Sequence, residues 1–154
     1  MVTFLTLLAA VALIAVNGIF VATEFALVAS RSSRLRAKAE EGSFGARLGI
    51  DARKDLRRQM SGAQLGITAS SVALGILVEP AVSPWTSAVL EWIGVSEAAA
   101  RTTGWLVALG GASVLQMIFG ELVPKNLAIA DPERTLGWSM PFHRVFLTIA
   151  APAI

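Results

Sequence analysis

Three long stretches without a charged residue constrain the fold of this chain more than any other feature. They cover residues 2–23, 59–78 and 102–120. About 20 apolar residues in a helix cross the hydrocarbon core of a bilayer, which is about 30 Å thick. Only 16% of the residues are charged, against about 25% in soluble domains. The sequence therefore predicts an all-α membrane protein with three transmembrane helices, at about residues 3–29, 60–78 and 102–122.

The first stretch has a second interpretation, as a cleaved signal peptide. A signal peptide begins with a basic region and has a short apolar core. Here apolar residues follow Met1 directly, and the apolar run continues past Glu24 to Ala29. These features favour a transmembrane helix.

The basic residues are concentrated in one segment, which predicts the orientation of the chain. Nine of the 13 Lys and Arg residues lie between Arg31 and Arg58. Because basic loops stay on the cytoplasmic side, we expect residues 30–60 inside and residues 79–101 outside. The N-terminus then lies outside the plasma membrane and the C-terminus in the cytoplasm.

Residues 31–58 are predicted to form juxtamembrane helices. Gly42 and Gly45 divide the segment, and Ser43 is a candidate N-cap for its second half. Apolar residues recur there at every fourth position, with arginines opposite: Leu48, Ala52, Leu56 and Met60. Such a helix suits the membrane surface, although a solvated charged hairpin has the same composition.

A second amphipathic segment is predicted at about residues 138–154. After Pro141 the chain is apolar apart from His143 and Arg144, and residues 142–154 are too few to cross a bilayer. We expect a short interfacial helix here. The abrupt end at Ala-Pro-Ala-Ile indicates that a soluble part of a longer protein is missing.

Two carboxylates lie within the predicted spans, Glu24 near the end of the first and Glu121 at the end of the third. Ionisable groups inside spans are costly and by default functional. Asn17 precedes Glu24 by seven residues, which returns it to the same helix face. The second span has a polar line at helical spacing, formed by Gln64, Thr68, Ser71 and Gly75. These residues either join the helices together or line a hydrophilic cavity, which the two carboxylates favour.

The third span ends in Gly120-Glu121-Leu122-Val123-Pro124-Lys125-Asn126. Pro124 has no N–H for the carbonyl of Gly120, and its ring disfavours a regular helical turn. We therefore expect a break in the helix and a free carbonyl beside the Glu121 carboxylate. Oxygen ligands of this kind suit a hard cation such as Mg²⁺. The alternative is an ordinary proline kink, with Glu121 paired to Lys125 one turn later.

Other chemistry has little support in the sequence. The chain has no cysteine and a single histidine, so soft transition metals are poor candidates. It contains no nucleophile–base pair, no phosphate-binding loop and no HExxH motif. We therefore expect that it is not an enzyme, and its basic segment beside a span is no sign of nucleic-acid binding.

Four segments together resemble the transmembrane domain of the CorC/cyclin-M family, which is often called the hemolysin family. They are NGIFVATEFALV at Asn17–Val28, the basic stretch Arg31–Arg36, QLGIT at Gln64–Thr68 followed by Glu79-Pro80, and FGELVPKN at Phe119–Asn126. The resemblance implies three transmembrane helices with a belt of juxtamembrane helices, in a homodimer. It also implies a cytoplasmic CBS pair and a small C-terminal domain beyond this chain, and export of Mg²⁺ coupled to inward movement of Na⁺.

The resemblance further implies an ion site on all three spans. Its residues in this chain are Thr23, Glu24, Gly66, Gly120 and Glu121. Many members carry asparagines after the glycine that corresponds to Gly66, whereas Ile67 and Thr68 follow here. Thr68 or a backbone carbonyl would then supply the ligand on the second span.

The sequence thus predicts a dimeric Mg²⁺ transporter with an inward-facing acidic cavity. Further residues are expected to support the cavity or the helix break, and Lys125 to neutralise the emptied site: Asn17, Gln64, Ser71, Pro124, Lys125 and Asn126. The alternative is a membrane scaffold that dimerises and regulates other ion transporters without carrying ions.

Overall fold

The structure is a computed structural model that describes residues 2–153, apart from the side chains of Val2, Thr3 and Ala153. Over this range the chain is almost entirely helical and has no β-strand. The elements in chain order are α1 (Val2–Ala29), α2 (Ser32–Glu40), α3 (Phe44–Ala52), a 3₁₀ turn (Arg53–Asp55), α4 (Leu56–Trp92), α5 (Glu97–Leu115), a π-helical segment (Gln116–Leu122), α6 (Val123–Ala130), α7 (Pro132–Ala150) and a 3₁₀ turn (Ala151–Ala153).

Three helical stretches of the described chain are long and apolar enough to cross a membrane, as predicted. They are Phe4–Ala29, Phe44–Trp92 and Glu97–Ala130, with mean hydropathies of 2.5, 1.7 and 1.8. The first two pack against each other along their length. Ala10 of α1 lies in one apolar cluster with Leu74 and Val78 of α4, and Phe20 lies against Gly66.

Helix α4 is longer than the span predicted at 60–78, because it continues through Pro80 and Pro84 to Trp92. A proline inside a helix removes one backbone hydrogen bond, but neighbouring helices can compensate for the loss. Here α5 packs against this part of α4, and the Thr86 hydroxyl donates to the Gly104 carbonyl at 2.8 Å. This bond joins the two helices and does not replace the bonds lost at the prolines. The chain turns only at Gly94, whose φ of +91° favours glycine.

The short helices gather at the end of the bundle where α1 ends and α4 begins, which we call the basic end. Eight buried apolar residues form a core there: Ala26, Leu27, Leu35, Ala46, Ala52, Ala128, Leu136 and Met140. The apolar stripe of residues 48–56 packs against this core, so protein covers it rather than the membrane surface that we expected. Ser43 is the N-cap of α3, as predicted, because its side chain accepts a hydrogen bond from the Ala46 N–H at 3.3 Å.

Helix α7 starts earlier than the segment predicted at 138–154. Asp131 caps it by accepting from the Arg134 N–H at 3.1 Å, and Pro132 occupies its first turn. Pro141 lies inside the helix and leaves the Gly137 carbonyl without its helical donor. The Cα of Gly45 in α3 packs directly on the Gly137 backbone, so α3 and α7 cross at two glycines.

Candidate polar site within the spans

Asn17 is the central residue of a buried polar network between the three spans. Its side chain is 1% exposed. Its Nδ2 donates to the Gly120 carbonyl at 2.9 Å. Its Oδ1 lies 3.0 Å from the Ser70 hydroxyl and 3.3 Å from the Ser71 hydroxyl. One amide therefore connects α1 to α4 and to the π-helical segment.

Gln116 extends this network along the third span, since its Nε2 donates to the Ser71 hydroxyl. Ser70 also lies 2.7 Å from the Gly66 carbonyl of its own helix. A hydroxyl has one proton, so Ser70 divides it between Asn17 and the α4 backbone. Such hydrogen bonds hold membrane helices in a fixed register.

The segment Gln116–Leu122 is π-helical, and this widened turn contains both Gly120 and Glu121. The Val123 N–H pairs with the Ile118 carbonyl, five residues back. Single π-helical turns are rare in proteins and frequent at functional sites. The third span is therefore continuous from Glu97 to Ala130, and the predicted break is a widening of the helix.

Pro124 acts as expected on the Gly120 carbonyl, but that carbonyl is not left free. Pro124 supplies no N–H, and the Asn17 amide takes the position of the missing donor. The proline ring packs against Gly18, where a Cβ would come within 2.9 Å of its Cγ. The Gly120 carbonyl oxygen, which we expected to be free, thus takes part in the contact between α1 and the third span. It keeps one lone pair without a partner.

The two carboxylates of the spans lie in different surroundings. Glu24 is partly buried, and its Oε1 accepts from Gln64 Nε2 at 3.4 Å. Glu121 is exposed and lines a groove of about 380 Å³ between α4 and the third span. The other polar side chains of this groove are Ser71, Ser113 and Gln116. Within residues 2–153 no group of three His, Cys, Asp or Glu side chains is close enough to hold a metal ion.

The hydroxyl and glycine positions of the predicted ion site occupy different faces of their helices. Thr23 is fully buried, and its hydroxyl donates to the Ile19 carbonyl at 2.7 Å. Thr68 is exposed, whereas Gly66 is buried against the Phe20 ring. Two residues apart on a helix means about 200° of rotation. Thr68 and Gly66 therefore lie on opposite faces of α4, and a single cavity beside this helix is lined by one of them only.

Lys125 and Asn126 follow the π-helical segment and are both exposed. Lys125 Nζ lies 4.5 Å from the centre of the Phe25 ring, a cation–π geometry. The alternative pairing of Lys125 with Glu121 is absent from the ion pairs of the described chain. Hydrogen bonds join some of the predicted residues into two groups, Asn17, Ser71 and Gly120 in one and Glu24 and Gln64 in the other. In the described chain no side-chain hydrogen bond links Glu121, Thr68, Lys125 or Asn126 to either group.

The prediction did not include Ser70 and Gln116, although both belong to the network. Ser70 follows Gly62 and Gly66 at four-residue intervals, and this spacing marks the α4 face that contacts α1. Gln116 is the one amide in the third uncharged stretch and precedes Gly120 by one turn. An amide in an apolar stretch is the signal that would have found it.

The three apolar helices and the buried polar network between them define a multi-pass membrane protein. Residues 8–154 match the cyclin M transmembrane N-terminal domain. The chain therefore belongs to the cyclin M transmembrane family, which is associated with Mg²⁺ transport across membranes. This confirms the resemblance inferred from the four sequence segments.

Bacterial relatives are similar over most of this chain. It is 40% identical over 147 residues to the uncharacterized protein Rv1841c of Mycobacterium tuberculosis, covering 96% of this chain and 41% of the relative. It is 36% identical over 138 residues to the UPF0053 protein YhdT of Bacillus subtilis, covering 89% of this chain and 30% of the relative. The chain thus spans less than half the length of these relatives.

Proposed function

We propose that this chain carries Mg²⁺ across the plasma membrane and that Glu121, Glu24 and the π-helical segment form the ion path. The observation that carries the proposal is the widened turn at Gly120 and Glu121, tied to α1 through Asn17. The Gly120 carbonyl of this turn is bonded by Asn17 and not by its own helix, and its second lone pair is left beside a carboxylate. Mg²⁺ takes one or two carboxylates and keeps several of its waters.

The remaining ligands are proposed at Thr23 and Gly66, which match the family pattern, or at Thr68 in place of Gly66 on α4. Coordination requires a lone pair and no proton, so the bond of the Thr23 hydroxyl to Ile19 leaves Thr23 able to bind a cation. The Gly66 carbonyl lies near the Ser70 hydroxyl, which leaves Thr68 as the more accessible donor on α4. Gln64 orients the Glu24 carboxylate.

Export coupled to inward Na⁺ movement, a homodimer and a cytoplasmic CBS pair are parts of the same proposal. The nine basic residues between Arg31 and Arg58 support a cytoplasmic basic end. The greater length of the relatives supports further domains in the whole protein. Release of Mg²⁺ from loaded vesicles, compared with and without an opposing Na⁺ gradient, tests the direction and the coupling.

The scaffold alternative has one observation in its favour. The contacts of Asn17, Ser71 and Gln116 are helix–helix hydrogen bonds, which a non-transporting membrane scaffold also needs. A scaffold function gives no reason for an exposed carboxylate next to a π-helical turn. Neutralising Glu121 distinguishes the two functions, because it removes ion binding from a transporter and leaves a scaffold's partner binding intact.

The test is a calorimetric titration of Mg²⁺ into the purified chain in detergent, with and without Na⁺. Glu121→Gln and Thr23→Ala are expected to abolish saturable binding, and Na⁺ to weaken it. Glu97→Gln is the matched control, because Glu97 is an exposed carboxylate paired with Arg101 at the other end of the third span. Equal binding by Glu121→Gln and Glu97→Gln would overturn the proposed site.

A further inference from the structure

A second polar pocket lies at the basic end, outside the network of the spans. It has a volume of about 330 Å³ and forms between the start of α4 and the second half of α7. We call it the Arg58–Arg144 pocket. Its lining residues are Asp55, Arg58, Gln59, Arg144, Leu147, Thr148 and Ala151.

The two arginines of this pocket have no hydrogen-bonded protein partner, although Arg144 lies near enough to Asp51 to contribute, after Lys54, to the lowered pKa of that carboxyl. Within the described chain neither guanidinium makes a hydrogen bond or an ion pair. Two basic residues just before Arg58 do have partners: Arg53 donates to the Leu27 and Ser30 carbonyls, and Lys54 pairs with Asp51. Arg58 and Arg144 differ from other unpaired arginines of the basic end, such as Arg57, because both line one pocket.

The other polar groups of the pocket leave it suited to an anion. The Asp55 carboxylate caps α4 by accepting from the Arg58 N–H at 3.3 Å, so one oxygen already has a partner. Two guanidiniums face one lining carboxylate, and the nearby Asp51 is already paired with Lys54, so the pocket keeps a net positive charge. The Gln59 Oε1 is buried without a hydrogen-bond partner. Rotation of this amide by 180° presents its NH₂ donor instead.

The position of α7 places the pocket at the boundary of the apolar bundle. An apolar face of its second half borders a groove beside α1 and is largely exposed: Phe142, Val145 and Ile149 are 61%, 61% and 74% exposed. Arg144 and Thr148 lie on the opposite face. A helix with one apolar and one basic face lies at the level of the lipid headgroups. Basic pockets between membrane helices bind such headgroups.

We propose that the Arg58–Arg144 pocket binds a phosphate group, held by the two guanidiniums. Arginine forms paired, charge-assisted hydrogen bonds with phosphate oxygens. The headgroup of an anionic phospholipid is the source favoured by the position of α7. Free phosphate has the same chemistry and is the other source.

Native mass spectrometry of the chain in neutral detergent tests the pocket. The probes are phosphatidylglycerol and phosphatidylcholine with identical acyl chains, and inorganic phosphate. The parent chain is expected to retain phosphatidylglycerol in preference. Arg58→Gln and Arg144→Gln are each expected to weaken that retention about tenfold, since a hydrogen bond between charged groups is lost.

Arg57→Gln is the matched control, because Arg57 is an exposed neighbour on the same helix that does not line the pocket. It removes the same charge, so general attraction to an anionic lipid falls equally. Phosphatidylglycerol that millimolar phosphate does not displace assigns the site to lipid, and displacement by phosphate assigns it to the free ion. Equal losses in Arg57→Gln and the two pocket variants overturn the proposal. Equal retention of phosphatidylglycerol and phosphatidylcholine, with no adduct of inorganic phosphate, also overturns the proposal.

Discussion

At the scale of single residues, Asn17 has the most consequential set of contacts. Replacing it with leucine keeps a similar volume and removes the hydrogen bonds to Gly120, Ser70 and Ser71. Hydrogen bonds between membrane helices contribute about 0.6 kcal/mol each, and an unpaired buried carbonyl adds to the loss. We expect Asn17→Leu to lower the free energy of unfolding by about 1–2 kcal/mol.

Thermal unfolding in detergent, followed by circular dichroism, measures this loss. For a chain of this size 1 kcal/mol corresponds to about 2–4 °C in Tm. Thr102→Val is the control, because the Thr102 hydroxyl is exposed and bonds only within its own helix, to the Ala98 carbonyl. An Asn17→Leu chain as stable as the control would show that the network does not hold the spans.

Gly66 gives a second prediction at this scale. A Cβ at Gly66 would lie 2.6 Å from two carbons of the Phe20 ring. The ring is itself packed, with its centre 4.7 Å from that of Phe146, so it cannot move away freely. We expect Gly66→Ala to destabilise the fold by about 1–3 kcal/mol, as overpacking does.

Gly75→Ala is the matched variant on the same helix. Nothing lies within 4 Å of a Cβ at Gly75, and alanine favours the helical state by up to about 1 kcal/mol. We therefore expect Gly66→Ala to lower Tm, and Gly75→Ala to raise Tm or leave it unchanged. Equal shifts would contradict close packing at Gly66.

The sequence identified part of this site because charges and prolines in apolar helices are conspicuous. Glu24, Glu121 and Pro124 were found in this way, and Asn17 by its spacing from Glu24. Ser70 and Gln116 were missed because uncharged polar residues are common in membrane helices. The role of the Gly120 carbonyl was also beyond prediction, since its partner lies 103 residues earlier in the chain.

At the scale of elements, the junction between α1 and α4 depends on Arg53. Its Nη1 lies 2.9 Å from the carbonyl of Leu27, in the last turn of α1, and 2.9 Å from that of Ser30, the residue after the helix. Carbonyls at a helix C-terminus lack intrahelical donors and attract cations. We expect Arg53→Gln to lower the free energy of unfolding by about 1.5–3 kcal/mol, the range for hydrogen bonds to charged groups.

Lys54→Gln is the matched control one residue later. Lys54 is exposed and pairs only with Asp51, three residues away, and surface pairs of this kind contribute about 0–1 kcal/mol. Chemical denaturation of both variants in the same detergent compares the two losses. An effect of Arg53→Gln no larger than that of Lys54→Gln would show that α1 ends without this cap.

Element boundaries were harder to predict than elements. Ser43 was correctly identified as an N-cap because its bond to the Ala46 N–H is local in sequence. The second span was predicted to end at residue 78, before Pro80, yet α4 continues through that proline. The segment predicted at 138–154 does contain Pro141, but α7 begins earlier, at Pro132. Neighbouring helices pack on both regions, α5 on α4 at Thr86 and α3 on α7 at Gly137, and which helix lies there is a tertiary fact that local sequence does not contain.

At the scale of the whole molecule, the sequence predicted three membrane-capable helices because each is an uninterrupted apolar run. It did not predict that α2, α3, α6 and α7 close over the end of α1 as one core. His143 belongs to this assembly of α7 on the spans. It is fully buried, and its ring centre is 6.2 Å from that of Phe20. Neither ring nitrogen makes a well-formed hydrogen bond in the described chain, although a contact with the Gln59 backbone partly opposes the effect of burial on its pKa.

Burial lowers the pKa of His143 from 6.5 to about 4, so the folded chain keeps this imidazole neutral. Unfolded chains bind the proton below about pH 6.5, and the folded chain resists it until about pH 4. The contribution of the neutral ring is therefore complete above pH 6.5 and is lost as the pH falls towards 4. The difference amounts to about 3 kcal/mol across this window.

This pH dependence is measured by comparing the unfolding of the parent and His143→Leu in detergent between pH 7.5 and 4.5. Carboxylates titrate in the same range in both chains, so the difference between the two curves isolates His143. We expect the parent to lose stability relative to His143→Leu as the pH falls, with most of the divergence below pH 6.5. Parallel curves would mean that the folded chain binds a proton at His143 as readily as the unfolded chain does, which would overturn this prediction.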